Sequence, residues 1–378
     1  MSFFRKGRVN VILQNTVATR IICCITCASM VGFALPLSVY GDQKKKTQDT
    51  SKPSVSPNNA VQDLIREVKR NEKLYSDLKL RLTCVYERLP KPADVKKQIH
   101  TETDIIIDVQ NEKFRQHKIE KGRFHVTSFV PSKERPSYIS SGTSETIEIS
   151  DGDTHRKFWS YDFFRDKNGK PRQIRGDSDS SSTTTHLSNL ARPHMFLSER
   201  SGSQNFPLST YFEGIEAIND YLDTLKSYTL ETRIIGTEKF QGLECIKIMT
   251  KLIGRTGKPI GRREIWLAKD RNLIPVHQLR YKYRWSKEVP VEESTIDEWK
   301  EVQPGVWFPM KAHRNHYNSL SKKPTDKRAL MWRRQYDVKN ITLNPPQRAP
   351  DVFTKLNIPK ETSVDESKNQ KKKSPNKN

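Results

Sequence analysis

The sequence predicts a mainly β (α+β) protein, in which one large curved antiparallel sheet forms a half-barrel with two or three helices on its concave face. Runs of alternating apolar and polar residues recur at close spacing from residue 78 to residue 343. Turn signals such as Asp151-Gly152 and Pro304-Gly305 separate these runs. The helical patterns lie near the start and the middle of the chain and not between successive strands, which excludes a parallel α/β sheet.

The composition excludes two broad classes of protein. The chain has 378 residues, and hydrophobic residues make up only 34% of them, too few for a polytopic membrane protein. The 15 Phe, 12 Tyr and 6 Trp lie in patterned stretches, which excludes a disordered chain. Lys and Arg together number 67 against 44 Asp and Glu, so the formal net charge is +23 and the charge needs its own explanation.

The N-terminal segment predicts export. Four basic residues and no acid occur before Ile21, and the stretch Ile21–Tyr40 has no charge. A basic region followed by an apolar region is typical of a signal peptide, here residues 1–41. An uncleaved anchor is the alternative, because about 20 apolar residues can span a bilayer. Either way, we expect a protein of the periplasm or cell envelope.

The remaining chain divides into a linker, one domain and a tail. Residues 42–57 are rich in Lys, Ser, Pro and Asn and predict a flexible linker. Residues 58–362 predict a single half-barrel domain, with a mobile polar loop near 165–208. Residues 363–378 form a Lys-rich tail that we expect to be disordered.

Two segments predict helices. The first begins near Asn59 and runs to about Tyr75, with an apolar stripe at helical spacing. The second begins at a capping-box pattern, Thr210-x-x-Glu213, and predicts about three turns lying on the sheet. Its apolar stripe consists of Tyr211, Ile215, Ile218 and Leu222.

The clearest strand pattern lies in the second half of the chain. Apolar Leu279, Tyr281, Tyr283 and Trp285 alternate with Arg280, Lys282 and Arg284. On a strand, alternate residues point to opposite faces, so we expect these aromatic and cationic side chains to be separated. A platform for nucleic acid needs both on one face, and the pattern therefore argues against nucleic acid as a partner.

Cys84 and Cys245 are the cysteines that remain beyond the signal segment. In an oxidising compartment they can pair as a disulfide. Alternatively, both are small buried residues on strands. The sequence leaves these two readings open.

Three short segments resemble a known family. Glu264–Val276 is similar to a strand, Asp turn, Leu-x-Pro, strand hairpin, and Pro304–Met310 is similar to a G-V-W-x-P strand entry. Val352–Thr362 is similar to an F-x-x-x-I-P-x-G-T ending, although Glu361 stands where the pattern has Gly. Together they resemble the outer-membrane lipoprotein-sorting group, the LolA/LolB/LppX-like half-barrels.

The resemblance implies a function in binding. Members of this family hold acyl chains in an apolar half-barrel cavity, so it implies an exported carrier for a lipid, an acylated protein or another hydrophobic ligand, acting as a monomer. A filled structural core is the alternative. The candidate lining of the cavity is Leu80, Leu82, Tyr86, Ile215, Ile218, Leu222, Leu279, Tyr281, Tyr283 and Trp285.

Motifs for catalysis or cofactor binding do not emerge from the sequence. His313 and His316 are three residues apart on a predicted strand, which places them on opposite faces and argues against a shared metal. We therefore expect no enzyme activity, no cofactor and no metal site. The excess of positive charge favours a second hypothesis, an envelope protein that binds polyanions or an anionic membrane surface.

Overall fold

The computed structural model describes residues 57–89, 98–126, 138–165, 171–180, 187–198, 206–219, 228–317 and 329–358. The predicted signal peptide or anchor, nearly all of the linker and the basic tail lie outside these residues, as does Leu222. Among the described segments, none is a helix both long and apolar enough to cross a bilayer.

One antiparallel sheet of 13 strands organises the chain, and its order is β6-β5-β4-β3-β2-β1-β13-β12-β11-β10-β9-β8-β7. The sheet is curved and open, which confirms the predicted fold class. The strands are β1 (Asp77–Arg88), β2 (Ile99–Gln110), β3 (Lys113–Val126), β4 (Tyr138–Ser150), β5 (His155–Arg165), β6 (Pro171–Ser180), β7 (Thr229–Phe240), β8 (Leu243–Ile253), β9 (Pro259–Ala268), β10 (Pro275–Lys282), β11 (Glu292–Gln303), β12 (Val306–Tyr317) and β13 (Leu330–Leu343).

The helical segments cover one face of this sheet. They are α1 (Pro57–Glu72), which continues into a 3₁₀ turn, two further 3₁₀ turns, and the short helices α2 (Leu208–Glu213) and α3 (Ile215–Asn219). We call this face, on which Leu80 and Leu82 lie, the helix face. The other face, on which Thr83 and Val85 lie, is the outer face. The two later 3₁₀ turns, α2 and α3 belong to the connection from β6 to β7, which joins the two edges of the sheet.

The prediction of a mobile loop over 165–208 is wrong for its described parts. Pro171–Ser180 forms edge strand β6, and Asn189–Ala191 and Pro193–Ser198 form 3₁₀ turns. Leu190, Met195 and Phe196 in these turns are at most 3% exposed, because they cover the sheet. A strand at the edge of a sheet can remain exposed to water and need not alternate apolar with polar residues. The polar sequence of β6 therefore did not predict a strand.

The second predicted helix is also corrected, because it is broken in two. Gly214 has φ +116°, a conformation open to glycine but strained for other residues, and it separates α2 from α3. The N-terminus of α2 is capped from another helix, since the Glu72 carboxylate accepts hydrogen bonds from the backbone N–H groups of Leu208 (2.6 Å) and Ser209 (3.3 Å).

Two apolar clusters fill the helix face. The first joins β1–β3 and β11–β13 to the 187–197 segment, with Phe196 and Phe308 at most 1% exposed. The second joins α1, α2 and α3 to β8 and β9, with Val68 and Ile248 fully buried. Because both clusters are built of interdigitated side chains, they supply most of the hydrophobic stabilisation of the sheet.

The two cysteines do not form a disulfide. Cys84 on β1 and Cys245 on β8 are both reduced and buried, and five strands lie between β1 and β8 in the sheet order. This distribution agrees with the alternative that both are buried apolar residues. Burial raises the pKa of the Cys245 thiol to about 11, so the thiol stays protonated and unreactive at neutral pH.

Stability is expected to fall as pH decreases below about 6.5, the ordinary pKa of histidine. His194 is 1% exposed, and its Nε2–H donates to the backbone oxygen of Asn272 at 2.7 Å. Burial lowers the pKa of His194, and that of His277 for the same reason. The unfolded chain therefore binds more protons than the folded chain below this pH. For each histidine, the free energy of unfolding falls by up to about 1.4 kcal/mol per unit decrease in pH.

The matched variant is His194→Gln, which keeps a donor for Asn272 but cannot titrate. Urea unfolding between about pH 7.5 and 5.5 should show a shallower loss for this variant than for the wild type. Identical slopes for the two proteins would show that His194 does not contribute.

Candidate functional site

Four of the predicted lining residues lie in the packed interior of the helix face. Leu80 and Leu82 are at most 1% exposed and belong to the first cluster. Ile215 and Ile218 lie on α3 and belong to the second cluster. The space in front of these four side chains is filled by other protein side chains, so in the described structure they form a packed core and not the wall of a cavity.

The other predicted lining residues lie elsewhere. Leu279 packs in a third, smaller cluster on the outer face with Trp266 and Val276. Tyr281 also lies on the outer face, beneath the Arg262 guanidinium, which is 3.8 Å from the ring centroid. Tyr86 lies on the helix face at the far end of β1.

The expected separation of aromatics and cations fails at the end of β10. The strand stops at Lys282, so Tyr283 and Trp285 lie in the following turn. This turn brings Lys282 Nζ and the Arg284 guanidinium to 4.4 Å from the Trp285 ring centroid. The period-2 pattern predicted a longer strand because the alternation of residue types does not show where hydrogen bonding to the neighbouring strand ends.

A buried ionic cluster lies on the helix face where β10, β11 and β12 meet. Sheet register places Arg280 opposite Glu292 and Glu292 opposite His316. Arg280 Nη2 donates to Glu292 Oε1, Arg314 Nη2 donates to Glu292 Oε2 at 2.8 Å, and His316 Nδ1 lies 3.2 Å from Oε1. Glu292 and Arg314 are each 6% exposed, which is unusual for charged residues.

The ionic cluster carries an excess of positive charge. Burial and the nearby guanidinium groups of Arg263 and Arg314 lower the pKa of Arg280 to about 10, although the Glu292 carboxylate opposes the decrease. A small hollow of about 10 Å³ lies among these groups. Its lining residues are Leu197, Ser198, Arg263, Gln278, Arg280, Glu292, Ser294 and Arg314.

A much larger groove lies on the outer face. Its volume is about 630 Å³, and it crosses six neighbouring strands, from β3 through β2, β1, β13 and β12 to β11. A strongly twisted sheet curves in opposite senses along its two diagonals, so a face opposite the helices can also be concave. The lining is Thr83, Val85, Glu102, Thr103, Asp104, Ile119, Lys121, Asp297, Lys311, Ala312, Gln335, Tyr336, Asp337 and Lys339.

The groove combines apolar and charged residues. Val85 and Ile119 supply its apolar side chains, whereas Ala312 and Tyr336 only border it, because their side chains are buried in the first cluster on the helix face. The charged residues are four carboxylates and three lysines, so the groove itself is not basic even though the chain carries a charge of +23. Several of these charges are paired, for example Asp104 with Arg81 (2.7 Å).

The described residues contain no group of three or more His, Cys, Asp and Glu side chains that could hold a metal ion. The expected separation of two histidines is confirmed. His313 Nδ1 lies 2.8 Å from Asp297 on the outer face, whereas His316 contacts Glu292 on the helix face.

Comparisons with known proteins concern the fold. No protein-family model matches the chain, and no curated protein matches it in sequence. It is similar to a DUF1329 family protein from Desulfovibrio piger, with 14% identity and a TM-score of 0.38 over 80% of this chain and 98% of that one. It is also similar to the lipoprotein LppX of Mycobacterium tuberculosis, with 10% identity and a TM-score of 0.21 over 76% and 98%.

A third solved structure is a porin-like protein from Bacteroides uniformis, with 6% identity and a TM-score of 0.26 over 69% of this chain and 96% of that one. These neighbours include LppX, of the group that the hairpin and closing segments resemble. At such identities and TM-scores the comparisons carry no argument about function, which rests on the residues of this chain.

Proposed function

We propose that the protein is an exported, non-catalytic binding or carrier protein of the cell envelope, and that its ligand is an amphiphile, either a lipid or an acylated protein. The observation that carries the proposal is the outer groove with its apolar groups and mixed charges. Its volume of about 630 Å³ falls within the roughly 300–1,000 Å³ common for small-molecule sites.

The apolar part of the groove suits an acyl chain. Each methylene group removed from water contributes about 0.8 kcal/mol, so even a partly covered chain would bind measurably. The helix face is less suited to this role, because Leu80, Leu82 and Phe196 already fill it. A ligand there would have to displace packed side chains.

The charged groups of the groove suit the head of an amphiphile. Lys121 can pair with an anionic group and Glu102 can pair with an amine, whereas Lys311 already pairs with Glu298 and Lys339 with Asp337. Export is supported by the sequence of residues 1–41, which leaves both a cleaved signal peptide and an anchor open. The ligand would then be met outside the cytosol.

Introducing a charge into the groove is expected to weaken ligand binding at least tenfold. In Ile119→Arg, a guanidinium replaces an apolar lining group and must be desolvated when an acyl chain binds. The measurement is a titration of a fluorescent fatty-acyl probe into residues 42–378, with a tenfold loss equal to about 1.4 kcal/mol.

The matched control is Ile235→Arg, the same substitution on edge strand β7 at a side chain that is 46% exposed. It should leave probe affinity within about twofold of wild type, a difference of under half a kcal/mol. Organic extraction of the protein purified from cells should also recover lipid. Equal affinities for the two variants, or a wild-type protein that neither binds the probe nor carries lipid, would contradict the proposal.

A second candidate function is binding to an anionic membrane surface or an envelope polyanion. The filled helix face and the net charge of +23 favour it, because neither feature requires a ligand cavity. Binding to vesicles of anionic lipid should then collapse as salt is raised and should be equal in Ile119→Arg and Ile235→Arg. Binding that is insensitive to salt excludes this function.

A further inference from the structure

We propose that the small hollow beside Arg280 is a binding site for a small anion. The anion would present one atom, a halide ion or one oxygen of a carboxylate or phosphate group, to the guanidinium groups of Arg263, Arg280 and Arg314. The site lies on the helix face and uses none of the residues of the outer groove, so it does not rest on the proposed function.

The charges that line the hollow do not balance. Among the described residues that line it are three guanidinium groups and one carboxylate, Glu292, so these residues together carry an excess of two positive charges. The side chain of Arg280 is only 12% exposed, so water screens its charge poorly. Removing such cations from water costs several kcal/mol each unless anions lie beside them. A bound anion would offset that cost.

The hydrogen-bonding groups point to the same conclusion. The Nε–H of Arg280 is buried and has no hydrogen-bond partner among the described residues, so it can donate to a ligand. Gln278 and Ser294 add neutral donor groups to the lining, and the Ser198 hydroxyl orients the Gln278 amide by donating to Gln278 Oε1 at 3.0 Å. Cationic and neutral donors around one point form a suitable site for an anion.

The size of the hollow restricts the anion. A volume of about 10 Å³ is close to the space needed for one water molecule. A single atom of that size fits, whereas a whole phosphate group fits only if part of it lies outside. The chemistry is therefore that of a small anion, whether free or carried at the end of a larger molecule.

Calorimetric titration of the purified chain tests the proposal. Sodium methanesulfonate, a reference anion without a halide, carboxylate or phosphate group, is replaced by chloride, formate or inorganic phosphate at constant ionic strength. A fourth titration uses dihexanoyl phosphatidic acid, which remains monomeric in water. Saturable binding of chloride or formate identifies a free anion as the ligand, and binding of the phosphatidic acid alone identifies a group carried by a lipid.

Two variants locate the site. Arg280→Gln and Arg263→Gln each remove one guanidinium group from the hollow and should weaken anion binding at least tenfold, a change of about 1.4 kcal/mol. The charge-matched control is Arg233→Gln, which removes a guanidinium that is 67% exposed on β7 and should leave affinity within about twofold.

Two outcomes of these titrations contradict the proposal. If none of the four anions binds the wild type, the site does not exist. If both site variants fold and bind as tightly as Arg233→Gln, the anion binds elsewhere and the proposal fails. If Arg280→Gln does not fold, the half-buried Arg263→Gln still decides. Neither failure affects probe binding in the outer groove, so the two proposals are tested separately.

Discussion

Replacing Phe196 with alanine is expected to lower the free energy of unfolding by about 3–5 kcal/mol. Phe196 is 1% exposed in the 3₁₀ turn Pro193–Ser198, and its ring contacts those of Phe308 and Tyr336 at centroid distances of 6.3 and 5.4 Å. The truncation removes a buried ring and leaves a cavity between this turn and strands β12 and β13. Urea unfolding followed by circular dichroism measures the loss.

The control for Phe196→Ala is Leu74→Ala, which shortens a side chain that is 40% exposed. Its effect should stay within about 0.5 kcal/mol, as for other surface substitutions. A comparably small effect for Phe196→Ala would mean that the turn is not part of the core and that the sequence-based prediction of a mobile loop was right after all.

Replacing Glu292 with glutamine is expected to destabilise the protein by about 3–5 kcal/mol. The substitution keeps the shape of the side chain but removes the carboxylate that accepts hydrogen bonds from Arg280 and Arg314. Both guanidinium groups would then be buried without that partner. The measurement is the urea midpoint in sodium methanesulfonate buffer, in which no halide, carboxylate or phosphate takes the place of the Glu292 carboxylate.

Glu293→Gln is the matched control, because it makes the same substitution at the next residue. Glu293 lies on the outer face, where its Oε2 accepts a hydrogen bond from the Tyr317 hydroxyl at 2.8 Å. A single hydrogen bond of this kind contributes about 1 kcal/mol, so the effect should be several times smaller. Equal effects at the two positions would show that the ionic cluster adds nothing particular to stability.

Local sequence patterns predicted strongly periodic helices and strands, but they missed a polar strand and a break within a helix. The stripe that includes Val61, Leu64 and Val68 predicted α1 because helical spacing repeats within a few residues. Strand β6 was missed because a polar edge strand has no apolar side to reveal it. The break at Gly214 depends on one backbone angle, which no periodicity encodes.

The ionic cluster could not be predicted from the sequence, for a different reason. Arg280, Glu292 and Arg314 look like ordinary surface charges on three separate strands. Only the register between β10, β11 and β12 brings them together, and the register of β10 with β11 is set across a nine-residue connection. The outer groove escaped prediction similarly, because its six strands come from both halves of the chain.

The pairing of β1 with β13 has a consequence for biogenesis. These strands are neighbours at the middle of the sheet, yet Thr83 and its partner Asp337 are 254 residues apart in the chain. A polypeptide emerging from the ribosome can form the β1–β6 meander early, but β1 keeps an exposed edge until the last strand has been synthesised. Closing so long a loop is slow. We therefore expect the nascent chain to stay incompletely folded through most of its synthesis, with the β1 edge open to pairing with other chains.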